Sequence, residues 1–292
     1  MSRRLPAAGS ALIALLAVAA CAPADSEDEA GTGSSASAST SASCAPADLD
    51  TLAAGTLTVG TDTPAYTPWF QDNDPTNGKG FESAVAYAVA EQLGYTNDQV
   101  KWETVGFNAA VQPGAKTFDF DINQFSITDE RKEAVDFSSG YYDVAQAVVT
   151  IKGSKAAGAT SLADLKDVKL GAQVGTTSYK AIEEQIQPSS KPAVYDDNDK
   201  AKLALNNGQI DALVVDLPTA LYLAAAELDN GVVVGQLPAA GDSAEQFGLL
   251  LAKDSPLTDC VSDAVDALRA DGTLEKLETE WLTESAGAPE LK

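Results

Sequence analysis

Hydrophobic and polar positions along the chain follow two alternating rhythms. "TLTVGTD" (Thr56–Asp62) interleaves Leu57 and Val59 with small polar residues, the period-two pattern of a strand. "VKWETVGF" and "FDFDINQFSI" predict two further strands, the second with Phe118, Phe120 and Ile122 on one face and Asp119, Asp121 and Asn123 on the other. "VAQAVVTIKG", "VKLGAQVG", "IDALVVD", "GVVVG" and "FGLLLAK" are apolar runs of strand length. Between them the spacing changes. "FESAVAYAVAEQLG" places Val85, Val89 and Leu93 four apart, a helix face that Gly94 ends. "LPTALYLAAAEL" predicts a helix with Pro218 in its first turn, and "LTDCVSDAVDALRADGTLEKLETEWL" a helical tail broken at Gly272. "PAYTPWFQDNDPTNGKG" is a loop. Strands alternating with helices predict an α/β protein with largely parallel sheets. No fixed-period repeat is present. Two similar-sized α/β regions, 52–143 and 147–238, account for the pattern, and the C-terminal helices are expected to pack on the first.

The N-terminal stretch breaks both rhythms. Arg3 and Arg4 precede an apolar run, Ala11–Ala20, that is too short to remain as a membrane-spanning helix. Residues 1–20 therefore read as a secretory signal peptide. The ending "VAAC" resembles the lipobox of bacterial lipoproteins, so Cys21 is expected to carry lipid; ordinary cleavage beside a chance cysteine is the alternative. Residues 21–48 are small, polar and acidic. They cannot bury a core and are expected to form a disordered tether, with the fold beginning near Leu49.

Composition narrows the function. The 292 residues hold 43 acidic and 19 basic side chains, a net charge of −24. Nucleic acid and an anionic membrane surface are poor partners for such a chain, and membrane contact is expected through the lipid anchor only. Most of these charges read as a solvated surface. Histidine is absent, which removes histidine triads, most zinc sites and the usual base near neutral pH. No catalytic residue, metal or cofactor is expected. With Cys21 lipidated, Cys44 and Cys260 remain to pair in an oxidising compartment, pinning the tether's end to the C-terminal helices.

Only Arg131 and Arg269 would survive processing, and Arg131 stands directly behind Asp129 and Glu130. Thr128 suits a helix N-cap and the two acids suit its positive end, but an arginine there does not. Either it pairs with a neighbouring carboxylate on the surface, or it points past the strand end to bind an anion. In "QVGTTSY", Thr176 and Thr177 open a helix after Gly175; this is an ordinary strand-to-helix turn or a second set of donors for the same anion. Asp216 closes the apolar strand "ALVVD", as an N-cap or as a carboxylate for an ammonium ion. Arg131 in one region and Asp216 in the other match the two charges of a free amino acid, and neither would be left buried alone. Asp119, Asp121, Asn123 and Glu130 fit positions 1, 3, 5 and 12 of a calcium loop, but Gln124 stands where that loop needs glycine.

Together, "TLTVGTDTPAYTPW", "GFESAVAYAVAEQLG", "FDFDINQFSITDERKEAVDFSSGYY", "LGAQVGTTSY", "GQIDALVVDLPTA" and "ADGTLEKLETEWL" resemble the family 3 extracellular solute-binding proteins, the amino-acid receptors of bacterial ABC importers, over about residues 52–284. Ser83 and Ala84 depart from the family's hydrophobic and second acidic positions. The resemblance implies a two-lobed type II periplasmic-binding-protein fold: residues 49–144 and 240–292 as lobe 1, 145–239 as lobe 2, crossover hinge strands near Val144–Val149 and Leu237–Phe247, and ligand in the inter-lobe cleft. It implies that Arg131 grips the ligand carboxylate beside the backbone N–H groups of Ser126 and Thr177. Asp216, the Ser126 hydroxyl and the Gln124 carbonyl would hold the ammonium. Tyr66 and Phe107 would flank the side chain, and Asp62, Asn123 and Gln173 would read its far end, unless Asp62 only braces its strand. No mapped position besides Arg131 is cationic, so a polar neutral or basic amino acid is expected, glutamine or asparagine first. The expected protein is a monomer, lipid-anchored outside the cytoplasmic membrane, that binds a free L-amino acid and delivers it to an ABC permease. A sensor without transport, or a dehydratase-like enzyme on the same fold, are the alternatives.

Overall fold

The computed structural model describes residues 43–241, 244–282 and 288–292. The signal peptide, Cys21 and nearly all of the expected tether lie outside the described residues. The strands are β1 (Leu57–Thr61), β2 (Val100–Thr104), β3 (Phe120–Asp121), β4 (Val135–Val144), β5 (Gln146–Ile151), β6 (Leu170–Gln173), β7 (Ala193–Tyr195), β8 (Ala212–Asp216), β9 (Gly231–Gln236) and β10 (Glu245–Ala252). The helices are α1 (Phe81–Gln92), α2 (Phe107–Ala110), α3 (Asp129–Lys132), α4 (Thr177–Ala181), α5 (Asn198–Asn206), α6 (Leu217–Tyr222), α7 (Thr258–Ala270) and α8 (Thr273–Leu282).

The strands form two five-stranded sheets, β2-β1-β3-β10-β4 and β7-β6-β8-β5-β9. In both, the first three are parallel: β1 pairs with β2 and β3, and β6 with β7 and β8. The fourth place in each sheet is taken by an antiparallel strand that has crossed from the other sheet. β5 follows β4 after one residue and pairs with β8 and β9. β10 returns after β9 and pairs with β3 and β4. The two lobes are thus wound alike and joined at two crossings.

Their cores differ. Lobe 1 buries Trp69, Phe70, Phe81, Phe120, Tyr141, Tyr142 and Phe247 in one cluster, covered by α1, α7 and α8. The Trp69 ring stands edge-on to Tyr142 and Phe247, with centroids 5.8 and 5.6 Å away. α7 presents Cys260, Val261, Ala264, Val265 and Leu268, one stripe at helical spacing, and Cys260 is disulfide-bonded to Cys44. Lobe 2 packs Ala, Val, Leu and Ile on both faces of its sheet.

Two expectations change. β3 is only two residues long, and Asp119 and Asp121 are as buried as Phe118 and Phe120. A strand in mid-sheet has both faces covered, so alternation does not expose its polar side. Asp119 instead accepts the N–H groups of Leu52 and Thr58 at 2.8 and 2.7 Å, fastening the first residues of the fold. Residues 288–292, assigned above to lobe 1, lie against lobe 2. Leu291 N donates to Gln236 O at 2.8 Å and its side chain is buried in the lobe 2 core, which gives that apolar residue cover.

Candidate functional site

The carboxyl ends of the parallel strands in both lobes open on one cleft, as expected of open α/β sheets. Its empty space, open mouth included, is about 630 Å³. Asp62, Tyr66, Phe107, Asn123, Gln124 and Arg131 line it from lobe 1, and Gln173, Thr176, Thr177 and Asp216 from lobe 2. Ser126 lies at the seam, its hydroxyl 3.1 Å from Thr177 Oγ1. Arg131 Nη2 to Gly175 O at 3.0 Å and Trp69 Nε1 to Thr219 Oγ1 at 2.8 Å also join the lobes.

Arg131 is placed by its short helix. Thr128 caps α3, accepting Arg131 N at 3.2 Å, and the guanidinium turns back over the strand end. Nη1 donates to Ser126 O at 2.8 Å, and the guanidinium carbon lies 5.3 Å from the centre of the Phe107 ring. Phe107 is itself stacked on Phe125 at 4.7 Å. The group is half-buried and forms no salt bridge among the described residues. The surface-pair alternative therefore fails. Carbonyl dipoles and a ring face hold the cation without neutralising it, which leaves its remaining donors for an anion.

Asp216 follows the same logic with the opposite sign. It occupies the N-cap position of α6 but its side chain makes no capping bond. Oδ1 instead accepts Gln146 Nε2 at 2.8 Å. Burial, then the charge of Glu245, push its pKa from 3.8 up to about 8; Gln146 and Arg131 oppose this and Glu82 adds to it.

Glu82, absent from the expected site, organises the cleft wall around Gln124. It is fully buried in the first turn of α1 and accepts Gln124 N at 2.7 Å, the Gln124 amide and the Tyr141 hydroxyl. Burial lifts it from 4.5 to about 7 against these three donors. Gln124 is thereby held at φ +48°. Gly80 makes the helix start possible: at φ +93° a Cβ would meet Trp69 O at 2.5 Å. Ser83 satisfies its own burial by donating to Pro75 O at 2.7 Å.

At the far end the expectation divides. Both oxygens of Asp62 are taken by backbone N–H groups, Thr63 at 2.7 Å and Phe107 at 3.0 Å, so Asp62 braces the strand–loop junction. The amides of Asn123 and Gln173 have no hydrogen-bond partner among the described residues and border the cleft. Thr176 caps α4, accepting Tyr179 N at 3.1 Å. The sequence reading missed Gln146, Ser178, Asp197, Asn198 and Glu245. A lone glutamine inside the apolar run "VAQAVV" was the one signal available for them.

Two like-wound lobes, crossed twice and facing each other with an arginine on one side and a carboxylate on the other, define a hinged two-lobe solute receptor. The chain belongs to the bacterial extracellular solute-binding proteins, family 3, whose model matches residues 57–284. It is 32% identical over 230 residues to the L-cystine-binding protein TcyJ of Escherichia coli K12, covering 78% of this chain and 82% of that one. It is 30% identical over 224 residues to the arginine-binding extracellular protein ArtP of Bacillus subtilis, covering 75% and 83%. Among solved structures, an ancestral arginine-binding protein bound to glutamine superposes with a TM-score of 0.65 at 31% identity, over 78% of this chain and 97% of that one. AncCDT-1, an ancestral amino-acid-binding protein and precursor of cyclohexadienyl dehydratase, superposes at 0.63 with 32% identity, over 78% and 95%.

Proposed function

We propose that this chain is an extracellular receptor for a free L-amino acid with a polar neutral or basic side chain, glutamine or asparagine first, which it delivers to an ABC permease. The observation that carries the reading is the unneutralised Arg131 facing Asp216 across one cleft. Arg131 takes the carboxylate. Asp216 takes the ammonium, with the Ser126 hydroxyl and the Gln124 carbonyl. Phe107 and Tyr66 flank the side chain, and the two unpartnered amides, Asn123 and Gln173, read a side-chain amide or base. The protein acts as a monomer held outside the cytoplasmic membrane by lipid on Cys21. Binding is not followed by chemistry; the lobes close by hinge motion and the closed form docks on the permease. A thermal-shift screen of the twenty amino acids and cystine tests the class and the side chain together. A flat screen sinks the reading, and turnover of whichever compound binds would convert it to an enzyme.

A second reading concerns ligand length. A further hollow of about 1020 Å³, open mouth included, continues the cleft, sharing Pro64, Tyr66 and Asn198 with it. Lys202 on its wall is already paired with Asp199 at 3.0 Å and Glu227 at 2.8 Å, so this space offers a long amino acid, cystine among them, room rather than a free cation. A larger shift with cystine than with glutamine decides for this reading.

A further inference from the structure

Behind the cleft wall, where the chain crosses between lobes, one amide nitrogen is ringed by acids. Gln146 Nε2 lies 2.8 Å from Asp216 Oδ1, 3.4 and 3.3 Å from the two oxygens of Glu245, and 3.4 Å from Thr177 Oγ1. Its orientation is set, because Gln146 Oε1 accepts the Ser178 hydroxyl at 2.6 Å. An amide carries two N–H donors. Two carboxylates and a hydroxyl share them.

The two acids come from different parts of the chain. Asp216 is the last residue of β8 in lobe 2, and Glu245 is the first of β10, the strand that returns to lobe 1. The charged and titratable groups around the pair are few. α3 brings Arg131, with Glu130 beside it. α1 brings Glu82, and β4 brings Tyr141, whose hydroxyl donates to Glu82. β5 and α4 add Gln146, Thr177 and Ser178, which do not titrate. Glu245, Asp216 and Glu130 thus act on one guanidinium that already donates to two carbonyls.

We propose that Glu245 is a positioning residue for the ammonium seat: by sharing the Gln146 amide with Asp216 it makes binding an exchange, in which the amino acid's ammonium displaces one proton from Asp216 to solvent. The inference rests on the amino-acid reading of the cleft. Its physical basis is that like charges brought together away from water cannot both stay ionised unless a cation joins them. The raised pKa of Asp216, with Glu245 its second cause after burial, agrees with this. The incoming ammonium keeps its own protons, so the balance is one proton released for each amino acid bound.

Calorimetry with L-glutamine, and with L-arginine in parallel, in buffers of different ionisation enthalpy between about pH 6 and pH 8 reads the exchange directly. The wild type is expected to release close to one proton at the acid end, with affinity rising nearly tenfold per pH unit. Glu245→Gln, which leaves burial as the remaining cause, should release less and bind with a shallower pH profile, and Glu245→Asp should restore both. Binding without proton release in the wild type, or equal release in Glu245→Gln, overturns the proposal. Should Glu245→Gln fail to fold, Glu245→Ala replaces it under the same criteria. If neither amino acid binds, the amino-acid reading is what fails first. The acid pair is then judged on ligand-free protein, where equal pH dependence of the melting temperature in wild type and Glu245 variants overturns it.

Discussion

The two lobes share a winding and differ in nearly everything else. Lobe 1 is aromatic: Trp69, Phe81, Tyr142 and Phe247 lock its core, the Cys44–Cys260 bond ties its N-terminal end to α7, and it brings the Arg131 guanidinium to the cleft. Lobe 2 is aliphatic, built from small and branched residues on both sheet faces, and it brings the Asp216 carboxyl. The difference teaches how the proposed receptor would divide its chemistry across the hinge. On that proposal the two charges of an amino acid meet different lobes, so ligand would stabilise the closed arrangement in proportion to how much better it binds there. The aromatic lobe supplies a rigid platform for the anchor, since each fully buried large apolar side chain is worth roughly 1.5–3 kcal/mol.

The contrast breaks most sharply at the anchor. Arg131→Ala should cost about 2–5 kcal/mol of binding, because the proposed ligand carboxylate loses its cation, and calorimetry should find an affinity loss of about thirtyfold or more. A loss below tenfold would return Arg131 to a structural role. Next comes the lobe 1 edge: Cys44→Ser with Cys260→Ser should lower unfolding free energy by about 2–4 kcal/mol in denaturant titrations while leaving affinity nearly unchanged. A large affinity change would mean that the bond shapes the cleft as well as the edge.

On the lobe 2 side, Asp216→Asn should weaken binding by about 1.5–3 kcal/mol, the range for a hydrogen bond to a charged group, and should raise the ligand-free melting temperature. The pH dependence has the same origin. Asp216 is lifted from 3.8 to about 8 and Glu82 from 4.5 to about 7, so between these bounds the folded state holds more protons than the unfolded one. The contribution of these two groups to ligand-free stability should therefore be greatest below about pH 4 and fall as pH rises to about 8, opposite to that of carboxyls held below their usual range. Melting temperatures across this range check the sign. The smallest effect belongs to the seam. Trp69→Phe removes the 2.8 Å bond to Thr219, and should cost about 0.5–1.5 kcal/mol of closure, read as a larger radius of gyration by small-angle scattering.

Much of this was legible in the chain. The α1 periodicity gave its face, with Val85 and Val89 buried, and Gly94 stands at φ +86° just past the helix end. Thr128 caps the helix that carries Arg131, as its neighbours implied. Cys44 and Cys260 pair across 216 residues, an assignment available by elimination once Cys21 was set aside. Arg131 stood out because a cation at a helix start has no local use, whereas Asp216 read equally well as an N-cap until the structure showed that its side chain makes no capping bond. Asp62 could not be sorted, because a carboxylate at a strand end serves a ligand and a neighbouring backbone equally well. Gln146 showed only as a lone glutamine in an apolar run and Glu245 not at all, because each acts through the other and through Asp216.

Local forces act over a few residues, so the sequence alone determined most of the longer strands, the α1 face, the Thr128 cap and, through the family resemblance, the crossing of the chain between lobes. Charge state and partner choice are set by desolvation and by neighbours up to a hundred residues away. Only the tertiary structure decided that Asp62 braces a loop, that Glu82 holds Gln124 in place, and that Asp216 shares an amide with the acid that opens the return strand.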